Sequence, residues 1–154
     1  MKPGAATVAV ALIVLLIPSA MAAGKKYPDN VMRLVDEARR NIRTVDIEPF
    51  KKVWDRKDYD LLVDVREPRE YQAVHIPGAI NVPRGVIEFA IWKHVGFPAA
   101  THYGIRAYLY CLSGKRCALA TRSLQDLGFT NLTSVNMHFR EWVNKGYPLE
   151  FGGE

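Results

Sequence analysis

The chain has 154 residues, 49% of them hydrophobic and 24% charged, which suits one compact domain and excludes a disordered or collagen-like polymer. The formal net charge of +5 mildly favours small anions. The basic residues are scattered and no aromatic–basic stacking pattern accompanies them, which excludes nucleic acid as a partner.

Lys2 precedes an apolar run from Ala5 to Ile17, which stops at Pro18 and gives way to the small-residue stretch Ser19-Ala20-Met21-Ala22-Ala23. This is the pattern of a secretory signal peptide over residues 1–22, with cleavage before Ala23. A membrane anchor is the alternative, but a spanning helix needs roughly 20 apolar residues, and the proline ends this run early. No stable membrane span is expected after cleavage, and the compartment predicted is an exported one of periplasmic type. Two cysteines in such an oxidising compartment are usually read as a structural disulfide. Here they are Cys111 and Cys117, too close in sequence to staple much chain.

Residues 23–43 read as an N-terminal helical extension. Asp29 or Asn30 caps a helix whose apolar residues Val31, Leu34, Val35, Ala38 and Ile42 follow helical spacing, with basic residues gathered towards its end. Residues 44–150 then alternate strands with helices. Thr44 to Ile47 is a short edge strand, and Pro49 opens a helix through Phe50, Val53 and Trp54. Leu61-Leu62-Val63-Asp64-Val65 is a continuous apolar run, the signature of a strand buried on both faces of a parallel sheet. Pro68 to Val74 reads as a helix, Ile76-Pro77-Gly78 as a turn, and Ala79 to Val82 as a strand stopped by Pro83. Val86 to His94 reads as helical, and Gly96 to Gly104 as a connecting loop. Ala107 to Cys111 is a strand, Leu112 to Lys115 a tight loop, and Arg116 to Leu127 a helix closed by Gly128. Leu132 to Val135 and Phe139 to Lys145 supply the last strand and helix, and residues 151–154 a tail. The order implies an α/β fold with a mainly parallel sheet covered by helices on both faces.

Ligands of such sheets bind at strand C-termini, which is where Cys111 falls. The residues after it, Leu112, Ser113, Gly114, Lys115, Arg116 and Cys117, lead straight into a helix N-terminus and are read as an anion cradle. Gly114 permits backbone angles that other residues avoid, and Lys115 and Arg116 add positive charge. Backbone donors, helix dipole and cations together lower the pKa of a thiol and make it nucleophilic at neutral pH. The bland alternative is a buried core thiol at a strand end, but a core residue has no need of so polar and basic a loop.

The segment Tyr110-Cys111-Leu112-Ser113-Gly114-Lys115-Arg116 resembles the active-site loop of the rhodanese family. Asp64-Val65-Arg66-Glu67-Pro68-Arg69-Glu70-Tyr71, followed by His75-Ile76-Pro77-Gly78-Ala79-Ile80-Asn81-Val82-Pro83, resembles its upstream signature, and Trp142 to Pro148 its WxxxGxP pattern. The resemblance runs roughly from Val45 to Leu149. It implies a rhodanese-like, five-stranded parallel α/β domain without metal or organic cofactor, in which the loop cysteine, here Cys111, alternates between thiolate and persulfide. The partners implied are small sulfur anions such as thiosulfate, a cyanide or thiol acceptor, and a protein acceptor as an open case. Related phosphatases and arsenate reductases carry a loop one residue longer. The Cys-x4-Arg spacing here suits a sulfur anion better than phosphate, and Lys115-Arg116 does not resemble the loop of mercaptopyruvate-specific relatives.

Asp64 and Arg66 match the family's DVR segment and are read as supporting residues that tie neighbouring loops, with Arg66 at the site mouth as the alternative. His75 is read as fixing a turn rather than acting as a base, and Trp54, Trp92 and Trp142 as packing residues. His94, His102 and His138 show no metal-ligand spacing with either cysteine. Two departures stand out: Met137-His138 replaces the usual Gly-Gly, which puts the local turn in doubt, and Cys117 stands where the family often has Ser. Cys117 either replaces that Ser or resolves a Cys111 persulfide or sulfenate as a disulfide. A loop curled around an anion is expected to hold the two cysteines apart, against the roughly 5.5 Å between Cα atoms that a bridge requires. Three functions remain in view: a sulfurtransferase, a sulfur-delivery module serving a partner protein, and a dithiol redox protein.

Overall fold

The computed structural model describes residues 27–152. The segment read as a signal peptide, residues 1–22, lies outside the described residues.

Five strands form one sheet in the order β1-β5-β4-β2-β3, and every pairing is parallel. They are β1 (Arg43–Asp46), β2 (Leu61–Asp64), β3 (Ile80–Asn81), β4 (Ala107–Tyr110) and β5 (Leu132–Asn136). The helices are α1 (Asp29–Arg40), α2 (Ile47–Asp55), α3 (Pro68–Ala73), α4 (Ile87–Ala90), α5 (Lys115–Asp126) and α6 (Phe139–Asn144). Alternation along the central strands divides their side chains between two cores. Val63, Leu109 and Cys111 join Ile87, Leu124 and Phe129 on one face, whereas Leu62 and Tyr110 join Phe50, Phe139 and Trp142 on the other. Each large apolar side chain so buried stabilises by about 1.5–3 kcal/mol. Both faces being covered explains why β2 reads as an unbroken apolar run.

Local differences from the sequence expectations have local causes. Pro28, not Asp29 or Asn30, precedes α1, and its carbonyl accepts the first free N–H groups, from Val31 and Met32. Only Val35 and Ala38 of α1 are buried, because the helix meets the domain mainly along α5; Val31 and Leu34 stay exposed. α2 starts at Ile47, which leaves Pro49 inside the first turn, where its missing N–H breaks no helical bond. β3 is only two residues long, and the Asn81 side chain donates to the carbonyls of Asp64 and Arg66 while Val82 N–H and Arg84 N–H carry the contact with that segment onward. The helix expected over Val86 to His94 is broken into 3-10 turns at Arg84–Val86 and Ile91–His94 around the short α4. In the loop that follows, Gly96 has φ +90°, and a Cβ there would lie 2.1 Å from the Ala100 carbonyl oxygen.

The Met137-His138 departure also resolves locally. Met137 is buried in the second core, and His138 caps α6: its Nδ1 accepts from Arg140 N–H at 3.3 Å while Glu141 accepts from His138 N–H. Trp92 packs among Phe97, Tyr103 and Phe129, and Trp54 and Trp142 pack on each other.

Candidate active site

Cys111 follows β4 directly and is 1% exposed, at the floor of the loop that leads into α5. Gly114 turns the loop with φ +71°, and a Cβ at that position would lie 3.0 Å from Arg39 Nη2 and 3.3 Å from Asn136 Oδ1. Both the backbone angle and the crowding require glycine there. α5 then begins at Lys115, which the sequence reading left in the loop, so the helix N-terminus opens onto the sulfur.

The environment of Cys111 favours its thiolate. The Cys117 thiol lies 3.5 Å away, its backbone N–H donates to the Cys111 sulfur at 3.4 Å, and the Ser113 backbone adds to the same effect. The Cys117 thiol is the largest influence, burial opposes it, and the backbone donors and the Arg116 charge assist, bringing the Cys111 pKa from 9.0 to about 6. Cys117 moves the other way: burial, then the adjacent Cys111, push its pKa well above the ordinary thiol value. Ser134 Oγ donates to its sulfur at 3.3 Å, and the Val135 carbonyl lies 3.5 Å from it. Cys117 is therefore the proton-bearing partner of the pair. The separation expected of the two cysteines is not seen at their sulfurs, which touch without being bonded.

The two cations of the loop behave differently. Arg116 is held by Glu70 through two bonds of 2.7 and 2.9 Å, with Glu67 at 4.0 Å. Its hydrogen bonds draw the Glu70 carboxyl below the usual range, and Glu70 in turn raises the Arg116 pKa. Arg116 still faces Cys111 closely enough to help its thiolate. Lys115 turns its ammonium towards the Tyr27 ring, 5.8 Å from the centroid. Leu112 is 38% exposed at the rim and, with Tyr27, Val31 and Arg116, lines a cleft of about 300 Å³ between α1 and the loop.

Asp64 and Arg66 pair with each other. Arg66 donates to both Asp64 carboxylate oxygens, its Nη2 reaches the Val74 carbonyl at 2.6 Å, and its guanidinium covers the Phe139 ring at 4.1 Å. Both residues are buried, so Arg66 does not reach the mouth. His75 stacks on Tyr71, its Nδ1 lies 2.9 Å from the Tyr71 carbonyl, and its backbone pairs with Glu150, which fixes the turn before β3. Among the described residues, no cluster of three or more His, Cys, Asp or Glu side chains is placed to hold a metal ion, and no helix is long and apolar enough to cross a membrane. Sequence reasoning missed Glu70, Ser134 and Arg39. Only Glu70 carried a signal, as an acid within the Asp64 to Tyr71 segment.

Parallel strands and a cysteine at the end of a central one, with the N-terminus of a helix directly after it, define a class: an α/β protein with an acidified thiol at the C-terminal edge of its sheet. Residues 46–145 match the rhodanese-like domain, and the chain belongs to that family. The thiosulfate:glutathione sulfurtransferase of Saccharomyces cerevisiae is 34% identical over 116 residues, which cover 69% of this chain and 81% of that protein. A candidate sulfur carrier protein of Bacillus subtilis is 30% identical over 109 residues, covering 71% of this chain but only 55% of the relative. Among solved structures, a Rhodopseudomonas palustris protein described as of unknown function and a possible tyrosine phosphatase is 29% identical; the match covers 78% of this chain and 93% of that one, with a TM-score of 0.66.

Proposed function

We propose that this protein is a sulfurtransferase that moves sulfane sulfur from a donor such as thiosulfate to cyanide or a thiol through a persulfide on Cys111. The observation that carries this reading is the Cys111 sulfur, which accepts from the Cys117 N–H in the first turn of α5 and has its pKa brought to about 6. The family and the name of the yeast relative support it.

In the first half-reaction the Cys111 thiolate attacks the outer sulfur of thiosulfate. The S–S bond of the donor breaks, its electron pair leaves with sulfite, and the outer sulfur stays on Cys111 as a persulfide anion. Backbone donors, the α5 N-terminus and Arg116 stabilise the negative charge as it moves. In the second, cyanide or a thiolate attacks the outer sulfur and the Cys111 thiolate leaves, which closes a double-displacement cycle. Cys111 is nearly enclosed, so a slender sulfur species fits better than a bulky phosphate ester. The Cys-x4-Arg loop argues in the same direction against phosphatase chemistry.

The test is to incubate the reduced protein with thiosulfate, measure its intact mass, add cyanide and follow thiocyanate. A one-sulfur gain on Cys111 that cyanide discharges supports the reading; no gain with thiosulfate, polysulfide or an organic persulfide sinks it. A stable persulfide with negligible cyanide turnover points instead to a sulfur-delivery module working with a partner protein. The 3.5 Å between the two sulfurs favours a second reading, a dithiol exchanger. Cys117→Ser separates the two, since sulfur transfer survives that change and dithiol exchange does not. We also propose export to a periplasmic compartment, which predicts a mature chain beginning at Ala23 in that fraction by mass spectrometry.

A further inference from the structure

The family match begins at residue 46, yet the catalytic loop is held from outside that span. Two loop carbonyls face outward, each against a donor. Leu112 O accepts from Phe139 N–H at 2.8 Å, and Gly114 O accepts from Arg39 Nη2, on the last turn of α1, at 3.2 Å. A trans peptide sets its C=O and N–H on opposite sides, so a carbonyl held outward turns the following N–H inward. For the first peptide the counterpart is Ser113 N–H, which shares a plane with the Leu112 carbonyl and is among the backbone groups that favour the Cys111 thiolate. The 114–115 peptide repeats the arrangement, with Arg39 in place of Phe139 N–H.

Gly114 has φ +71°, an angle open to glycine, and as the residue before α5 it sets its carbonyl at the start of the helix, where Arg39 is a further partner. Arg39 is aimed by its own neighbours. The same Nη2 lies 3.3 Å from Asn136 Oδ1, and Asn136 Nδ2 in turn donates to Asp46 Oδ1 at 2.9 Å. The closeness of a Cβ at Gly114 to Arg39 Nη2 shows how tightly guanidinium and loop are packed.

We propose that Arg39 is a positioning residue of the catalytic loop: by holding the Gly114 carbonyl outward it fixes the Lys115 N–H towards the anion on Cys111. The inference rests on the reading of Cys111 as the nucleophile. It makes the N-terminal helix, which the family match does not include, a working part of the site.

The test uses the full chain with Arg39→Met, which keeps the aliphatic stem and the helix propensity but removes the donor, alongside Arg39→Lys and Arg40→Ala. The readouts are the pH midpoint of Cys111 alkylation by iodoacetamide, kcat and KM for thiosulfate with cyanide, and the thermal midpoint. Arg39→Met is expected to raise the alkylation midpoint by about half a pH unit or more and to lower kcat about tenfold. Arg39→Lys restores much of both, because an ammonium also donates to a carbonyl. Arg40→Ala, which removes the same charge from the same turn, changes neither. An unshifted midpoint with unchanged kcat overturns the proposal, as does a loss of activity that only follows thermal stability and that Arg39→Lys does not rescue. Should Arg39→Met fail to fold, Arg39→Ala is read by the same midpoint. The alkylation midpoint needs no sulfur donor, so it tests Arg39 even where a missing persulfide sinks the sulfur-transfer reading.

Discussion

At the end of β2 the chain runs Asp64-Val65-Arg66, and after β4, its hydrogen-bonded neighbour, it runs from Cys111 to Arg116. Both loops therefore emerge side by side at the C-terminal edge of the sheet, where ligands of such folds bind. Both are polar and both carry an arginine. After β2, however, the charges answer each other: Arg66 closes on Asp64 and on the Val74 carbonyl. After β4, the Leu112 and Gly114 carbonyls are held by donors from outside the loop, and the Cys117 N–H turns onto a sulfur. Charge at a strand end does not by itself make a site; donors left without a partner of their own do.

The largest effects separate the two loops by kind. Cys111→Ser is expected to lower thiocyanate formation about a thousandfold or more while the far-ultraviolet circular dichroism stays that of the wild type. Asp64→Ala should do the reverse, because it strands the buried Arg66 charge. It is expected to cost about 3–5 kcal/mol and to lower the thermal midpoint by roughly 10 °C or more. Equal losses of stability in both variants would erase the distinction between the loops.

The pH dependence sharpens it. A thiol is reactive as its thiolate, so Cys111 alkylation should be slow below its pKa, half-maximal near pH 6 and level above that. Peptide mapping should leave Cys117 unlabelled through neutral pH, since its pKa is raised. Cys117→Ala removes the thiol that most lowers the Cys111 pKa and should move the Cys111 midpoint up by about one unit, without lowering the plateau rate. The smallest effect is at the mouth. Glu70→Gln releases Arg116 from its counter-charge and should lower the thiosulfate KM about two- to threefold, with a stability change under about 1 kcal/mol. A raised KM would mean that Glu70 orients Arg116 rather than restraining it.

Much of this was legible in the sequence where the cause is local. Leu61 to Val65 reads as a buried strand because both faces of the sheet are covered, and Cys111 to Arg116 reads as a cradle because strand, glycine and helix follow one another directly. His138 was legible in principle as well, since a residue that caps a helix with Glu three positions on is a capping box; comparison with the usual Gly-Gly hid it. The bonds that shape the mouth were not legible. Arg39 reaches Gly114 across 75 residues and Arg116 reaches Glu70 across 46, and nothing in either neighbourhood points to the other.

Asp46, where the family match begins, is also the last residue of β1. A fragment trimmed to the matched span of 46–145 would lose nearly all of that strand and, at the other end, Glu150, which is paired to His75. Stripping β1 back to Asp46 bares the outer edge of β5 along Thr133 to Val135, a row of backbone donors and acceptors ready to recruit a strand from another molecule. Such a fragment should clump edge to edge, so the outermost strand serves as a guard against self-association.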